Sequence, residues 1–316
     1  MVAFHYTLAR ISNMINPGRN PDGKKHMALE ILVARDSSFC PGVDRAMRKT
    51  EKKLAGKKGP VYSFGPLIHN PQVVSNLRSA GLETLEPGSD FPDLRGVPVV
   101  IRSHGIDIEG ERALAERGAK LVDATCNTVK RAQRAAQELA EAGYRVLVLG
   151  SPRHPEVRSI IGRAGADVTV ISNMEEAERF AEEAAVKPGP VGIVCQTTIS
   201  HTLLDSVVSL LRSRGMVVEV RDTICKWVTR RQQEAVELSK RVDLMLVVGG
   251  RDSSNTAQLA AICSASGVTT HHIEDPSEIM PGWLEGVASV GITGGASTPD
   301  WLVDETVVRL KEMASG

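Results

Sequence analysis

Three cysteines hold the same place in three internal repeats, and this constrains the chain more than any other feature. Around them the sequence reads Cys40-Pro-Gly-Val43-Asp-Arg45, Cys126-Asn-Thr-Val129-Lys-Arg131 and Cys225-Lys-Trp-Val228-Thr-Arg230. The shared pattern is C-x-x-V-x-R, with an Asp three or four residues upstream each time (Asp36, Asp123, Asp222). One match of this length carries no weight; three, each in register with the same downstream segments, decide the architecture. Each cysteine is followed, after 24 or 25 residues, by a Gly that ends an apolar run: Gly65, Gly150 and Gly249. Four residues later a polar residue opens a helical pattern: His69 before Asn70-Pro71, His154 before Pro155-Glu156, and Ser253 before Ser254-Asn255. Proline suits the first helical position, where its missing N–H had no partner anyway. A third strand-to-loop element recurs as Val99 to His104, Val191 to Thr197-Thr198, and Val290 to Ser297.

Short apolar strands alternating with helices predict βαβ units and parallel sheet. The expected fold is therefore α/β: three similar βαβ-type modules whose strand-to-helix turns converge on one central site. The modules are placed at 27–120, 121–219 and 220–316. Ligands in such folds bind beyond the carboxyl ends of strands, where helices begin. The cysteines, histidines, Glu156, threonines and serines named above all stand at such turns. Residues 1–26 carry Pro17, Gly18, Pro21 and Gly23 and show no periodicity. They are read as a disordered extension or an expression remnant, with an organellar transit peptide as the lesser alternative.

Composition excludes several functions. Lys+Arg and Asp+Glu both number 38, so no basic excess suggests a nucleic-acid or membrane-surface partner. No apolar run reaches the roughly 18 residues of a membrane span, and no secretory signal is visible. The expected location is the cytoplasm. Five cysteines without C-x-x-C spacing or an export signal argue against disulfides and zinc ribbons. Cys195 and Cys263 lie outside the repeated position and are read as core thiols.

Three matched thiols suit a [4Fe–4S] cluster, whose complete ligation takes four, leaving one iron open for a substrate oxygen. A Cys₃ zinc site and three plain buried thiols rank lower. Helix N-termini carrying His, Ser and Asn side chains suit a phosphate group. His69, His104, His154, Ser253, Ser254, Asn255 and Ser297 supply that set. Glu156 is the one carboxylate inside the repeated loops and a candidate proton relay; Thr197 and Thr198 could extend it through their hydroxyls.

In order along the chain, Phe39-Cys40-Pro-Gly-Val43, Ile68-His69-Asn70-Pro71, Ser103-His104-Gly105, Asp123-Ala-Thr-Cys126, His154-Pro-Glu156-Val157, Gln196-Thr-Thr198, Thr223-Ile-Cys225, Ser253-Ser-Asn255 and Gly295-Ala-Ser297-Thr-Pro299 resemble the 4-hydroxy-3-methylbut-2-enyl diphosphate reductase family. The resemblance runs from about residue 27 onward, and it implies that the three α/β modules form a pseudo-threefold trefoil around a central iron–sulfur site. It implies that Cys40, Cys126 and Cys225 ligate the cluster and that His69, His104, His154, Ser253, Asn255 and Ser297, with Ser254 nearby, bind a diphosphate. It further implies that Glu156 delivers protons beside Thr197 and Thr198. The implied reaction is a reductive dehydroxylation: the allylic hydroxyl meets the open iron, and electrons arrive singly from a ferredoxin- or flavodoxin-like donor. Water then leaves, and isopentenyl or dimethylallyl diphosphate forms. The chain departs from the family's usual residues at Asn127 (Pro), Ser38 (Gly), Ser159 (Gly) and Cys195 (a small residue). A reductase of another allylic diphosphate and a non-catalytic iron–sulfur sensor are the rival readings.

Overall fold

Each repeat contributes short, strongly apolar segments whose central strands are covered on both faces, the signature of parallel sheet. The computed structural model describes residues 29–56, 59–165, 167–186 and 189–315; the expected 1–26 extension lies outside them. The strands are β1 Glu30–Val33, β2 Val61–Phe64, β3 Leu82–Leu85, β4 Pro98–Ile101, β5 Lys120–Asp123, β6 Arg145–Leu149, β7 Val168–Ile171, β8 Val191–Cys195, β9 Val218–Arg221, β10 Leu244–Val248, β11 Thr269–Ile273 and β12 Ser289–Gly294. The helices are α1 Pro41–Ala55, α2 Pro71–Ser79, α3 Ile108–Glu116, α4 Asn127–Glu141, α5 Pro155–Ala164, α6 Met174–Val186, α7 His201–Ser213, α8 Lys226–Ser239, α9 Ser254–Ala265 and α10 Asp300–Ser315.

They form three parallel four-stranded sheets of one design: β3-β2-β4-β5, β7-β6-β8-β9 and β11-β10-β12-β1. The α/β class and the three similar modules are as the sequence predicts. The repeats and the sheets, however, are out of phase by one strand. The strand leading into each cysteine pairs with the sheet of the preceding repeat: β5 on β4, β9 on β8, and β1 on β12. Sheet membership therefore crosses the repeat bounds at 120 and 219, and the third sheet needs residues 30–33.

The chain divides into two compact units. Among the described residues, one takes 29–41, His69–Val74 and 227–315; the other takes Gly42–Ile68 and Ser75–Lys226. The second unit holds the first two sheets. Its cores include Phe64, Leu94, Ile101 and Leu114 around the first sheet, and Leu147, Ile193, Val207 and Leu211 around the second. The first unit holds the third sheet, covered by Leu302, Val307 and Leu310 of α10 and, on the opposite face, by Leu238 and Leu259. Each such fully buried aliphatic contributes about 1.5–3 kcal/mol from burial. No helix among the described residues is long and apolar enough to cross a membrane.

At the end of β12 the backbone admits no side chain. A Cβ on Gly294 would stand 2.1 Å from the Ser37 carbonyl oxygen. The Gly294 carbonyl accepts from Arg231, whose other terminal nitrogen donates to the Ser38 carbonyl at 2.6 Å. Glu234 completes the clamp by accepting the Arg35 and Asp36 amides at 2.7 and 3.0 Å. Gly294→Ala should therefore cost about 1–3 kcal/mol, the usual penalty of overpacking, as read by chemical denaturation.

Candidate active site

The three cysteines are presented in equivalent ways. The Cys126 N–H donates to the Ser103 carbonyl at 2.9 Å, Cys225 N–H to the Thr197 carbonyl at 2.9 Å, and Cys40 N–H to the Ala296 carbonyl at 3.1 Å. Each acceptor lies two residues beyond β4, β8 or β12, so the bond ties the cysteine to the loop carrying the repeat's His, Thr or Ser. Each thiol also sits immediately before, and thus at the N-terminus of, α1, α4 or α8. Cys126 caps α4 without a side-chain hydrogen bond, and no cysteine among the described residues is in a disulfide. Three reduced thiols at helix N-termini, where negative charge is favoured, are a donor set suited to iron. Cys195 and Cys263 differ: both are fully buried, and burial pushes both thiols up, Cys195 well above the usual range. They are core thiols, as expected.

Within the second unit the remaining candidates form one connected set. Glu156, in the first turn of α5, is 2 % exposed. Its Oε1 accepts the Thr197 N–H at 2.6 Å and its Oε2 accepts the Thr197 hydroxyl at 2.9 Å. Burial raises its pKa to about 7, against the opposing pull of those two Thr197 hydrogen bonds. His154 caps α5, its Nδ1 accepting the Glu156 N–H at 3.2 Å, which leaves the proton of a neutral ring on Nε2. The His104 and His154 rings meet edge to face with centroids 5.3 Å apart. Thr198 is reached through Gln196, whose amide donates to its hydroxyl at 3.0 Å and accepts the Ser151 N–H at 3.0 Å.

The first unit holds the other candidates. Ser297 donates its hydroxyl to the His69 carbonyl at 3.0 Å. Gly250 approaches the same carbonyl so closely that a Cβ there would lie 2.5 Å away. Ser253 caps α9, accepting the Thr256 N–H at 3.3 Å, so Ser254 and Asn255 occupy its first turn, where backbone N–H groups lack intrahelical partners. Asn255 is 4 % exposed, yet neither its Oδ1 nor its Nδ2 has a hydrogen-bond partner. Such an orphaned amide costs about 1–3 kcal/mol and fits a polar ligand.

A family model described as LytB protein matches residues 31–311. The chain belongs to the LytB family. A relative from Geobacter metallireducens named 4-hydroxy-3-methylbut-2-enyl diphosphate reductase is 42% identical over 287 residues, covering 91% of this chain and 99% of its own. One of the same name from Aquifex aeolicus is 38% identical over 288 residues, 91% and 98% of the two chains. A solved structure of (E)-4-hydroxy-3-methyl-but-2-enyl diphosphate reductase, described as the terminal enzyme of the non-mevalonate pathway, is 38% identical. It aligns with TM-score 0.65 over 89% of this chain and 99% of that one. A reductase structure from Plasmodium falciparum shares the fold, with TM-score 0.82 at 24% identity over 89% and 87%.

Some residues of this LytB chain escaped sequence reading. Ser159, noted only as a departure from Gly, shares its hydroxyl between the Glu156 carbonyl at 2.7 Å and the His104 carbonyl at 3.2 Å. It also accepts from Gln133 at 3.0 Å. It thereby links the acid's helix to the histidine loop. Thr223, quoted in a motif but given no role, donates its hydroxyl to the Cys195 carbonyl at 2.7 Å and accepts its N–H at 2.8 Å.

The Glu156 geometry fixes a pH dependence. Its folded pKa lies above the unfolded value of 4.5, so the folded chain holds an extra proton between the two. Its contribution to stability falls as pH rises from about 4.5 and is lost above about 7. Infrared difference spectra should show a protonated carboxyl that titrates near pH 7 and is missing in Glu156→Gln. Thr197→Val removes a donor to the carboxylate and should move that midpoint upward.

Proposed function

We propose that this LytB chain reduces 4-hydroxy-3-methylbut-2-enyl diphosphate to isopentenyl and dimethylallyl diphosphate, its hydroxyl leaving as water. The observation that carries the reading is the link from Glu156 through Thr197 to Cys225. A buried acid with a pKa of about 7 is bonded to a threonine whose own carbonyl holds the N–H of a proposed iron ligand. The relatives' names and the length of the match support the substrate. A sensor would have no use for a proton source tuned to neutral pH.

In this reading Cys40, Cys126 and Cys225 hold a [4Fe–4S] cluster. When bound, it supplies electrons singly and a Lewis-acidic iron. The chain's own residues do the rest. His69, His104, His154, Ser253, Ser254, Asn255 and Ser297 take the diphosphate through side-chain donors and the N-terminus of α9, whose dipole favours the anion.

Glu156 holds the proton. While it is ionised, the Thr197 hydroxyl hydrogen is committed to Oε2. Once it is protonated, its own O–H can donate to Thr197 Oγ1, which frees the threonine hydrogen for the departing oxygen. Thr198, fixed by Gln196, stands next in the chain to that relay. The electrons come from a small donor of the ferredoxin or flavodoxin class, and the reaction belongs in the cytoplasm.

Anaerobic turnover with a chemically reduced one-electron donor tests the activity. Cluster-loaded protein that makes neither five-carbon product overturns it. Glu156→Gln should lower kcat at least about tenfold with little change in substrate affinity. Wild-type kcat should decline above about pH 7 as the acid loses its proton. Asn255→Leu makes a two-sided forecast. The substrate-free chain gains stability because a buried orphan is removed, while KM rises about tenfold or more as a hydrogen bond to an anion is lost. A stability gain with unchanged KM removes Asn255 from the diphosphate.

A further inference from the structure

The arginine of the C-x-x-V-x-R repeat has no part in the reaction above, yet it recurs three times. On α1, Arg45 donates one terminal nitrogen to Asn127 Oδ1 at 2.8 Å and the other to the Thr125 carbonyl. These two residues flank Cys126. One turn on, Lys49 donates to the Asp123 carbonyl at 2.6 Å. On α4, Arg131 donates to the Ile224 carbonyl, immediately before Cys225, at 3.3 Å. On α8, Arg230 pairs with Asp36 in the loop before Cys40, Nε to Oδ2 at 2.7 Å. The helix begun by each cysteine therefore reaches the loop of the next, and the third returns to the first.

We propose that Arg45, Arg131 and Arg230 are positioning residues that fix the three cysteine loops before iron arrives. Asn127 is the acceptor that completes the first of these staples. This inference rests on the cluster reading given above. Guanidinium forks suit such a role, since they present several donors in a fixed plane and lose little freedom per bond formed. Arg45 uses two of them on the two sides of one cysteine. The upstream aspartates help shape the same loops, since Asp123 Oδ1 accepts the Thr125 N–H at 2.9 Å and Asp222 Oδ1 the Ile224 N–H at 3.0 Å. Asn127, where the family resembled has proline, thus exchanges a rigid ring for a hydrogen bond to Arg45. The stapled loops lie next to Cys40, Cys126 and Cys225 in the chain, so these residues govern where the thiols stand.

The test uses reconstituted full-length protein under anaerobic conditions. Iron release to a chelator and the electron paramagnetic resonance spectrum of the reduced cluster are followed for wild type, Arg45→Ala, Arg45→Lys, Asn127→Ala and the Arg45→Ala/Asn127→Ala pair. Arg45→Ala should release iron about tenfold faster, as loss of charge-assisted hydrogen bonds predicts, and should broaden the spectrum. Arg45→Lys, keeping charge and one donor, should recover part of the rate. The double variant should be no worse than Arg45→Ala, because Asn127 acts through that arginine. Wild-type release rates and spectra in Arg45→Ala and Arg45→Lys overturn the proposal, as do fully additive effects for Asn127. Asn127→Ala, at an exposed position, keeps the question answerable if Arg45→Ala does not fold. If wild type itself takes up no iron, the cluster reading fails and the positioning proposal goes with it; normal loading with indifferent variants defeats the positioning proposal alone.

Discussion

Parallel pairing of one strand from each repeat with the sheet of the repeat before it sets the position of the three repeat thiols. β5, β9 and β1 are edge strands, and each runs straight into a cysteine loop. The loop then turns so that the cysteine N–H meets a carbonyl two residues beyond the neighbouring central strand. That bond joins two kinds of residue the chain keeps far apart: the thiols, and the polar side chains that follow β4, β8 and β12. In the second unit it brings Cys225 onto Thr197, and so within one further hydrogen bond of Glu156. Shifting any of these edge strands by one residue would turn its loop the other way.

The acid illustrates why the pairing must be firm. A carboxyl this deeply buried keeps its proton near neutrality only while water is excluded and its partners are few. Thr197 supplies both partners, one from the backbone and one from the side chain. The backbone N–H is held by the loop that also holds Cys225, so the acid's tuning and the thiol's placement share one short segment. Ser159 adds a second tie, between the acid's helix and the loop of His104.

Much of this was legible in the chain because the repeats align residues whose roles differ only in detail. The cysteines, the histidines after β4 and β6, and the strand-to-helix turns stand at fixed offsets, and offsets survive in sequence. Edge strands such as Leu82–Leu85 and Thr269–Ile273 were not visible, because short half-exposed strands lack a continuous apolar run. The phase shift between repeat and sheet was equally hidden, since local periodicity does not say which neighbour a strand will choose. Ser159 and Arg231 belong to the same class: their partners lie 55 and 63 residues away in the chain. Asn255 could be named from a motif, but that both ends of its amide lack partners is a property of packing alone.

The pairing of β1 with β12 has a consequence in time. Glu30 lies against Ser289 and Val33 against Ile292. A ribosome makes β1 long before its partner β12, and until β12 exists the segment has no strand of that sheet to pair with. Cys40 thus remains on an unanchored segment while the other two thiols already have their sheets. The first of the three repeat thiols to be made is thus the last to be held in place.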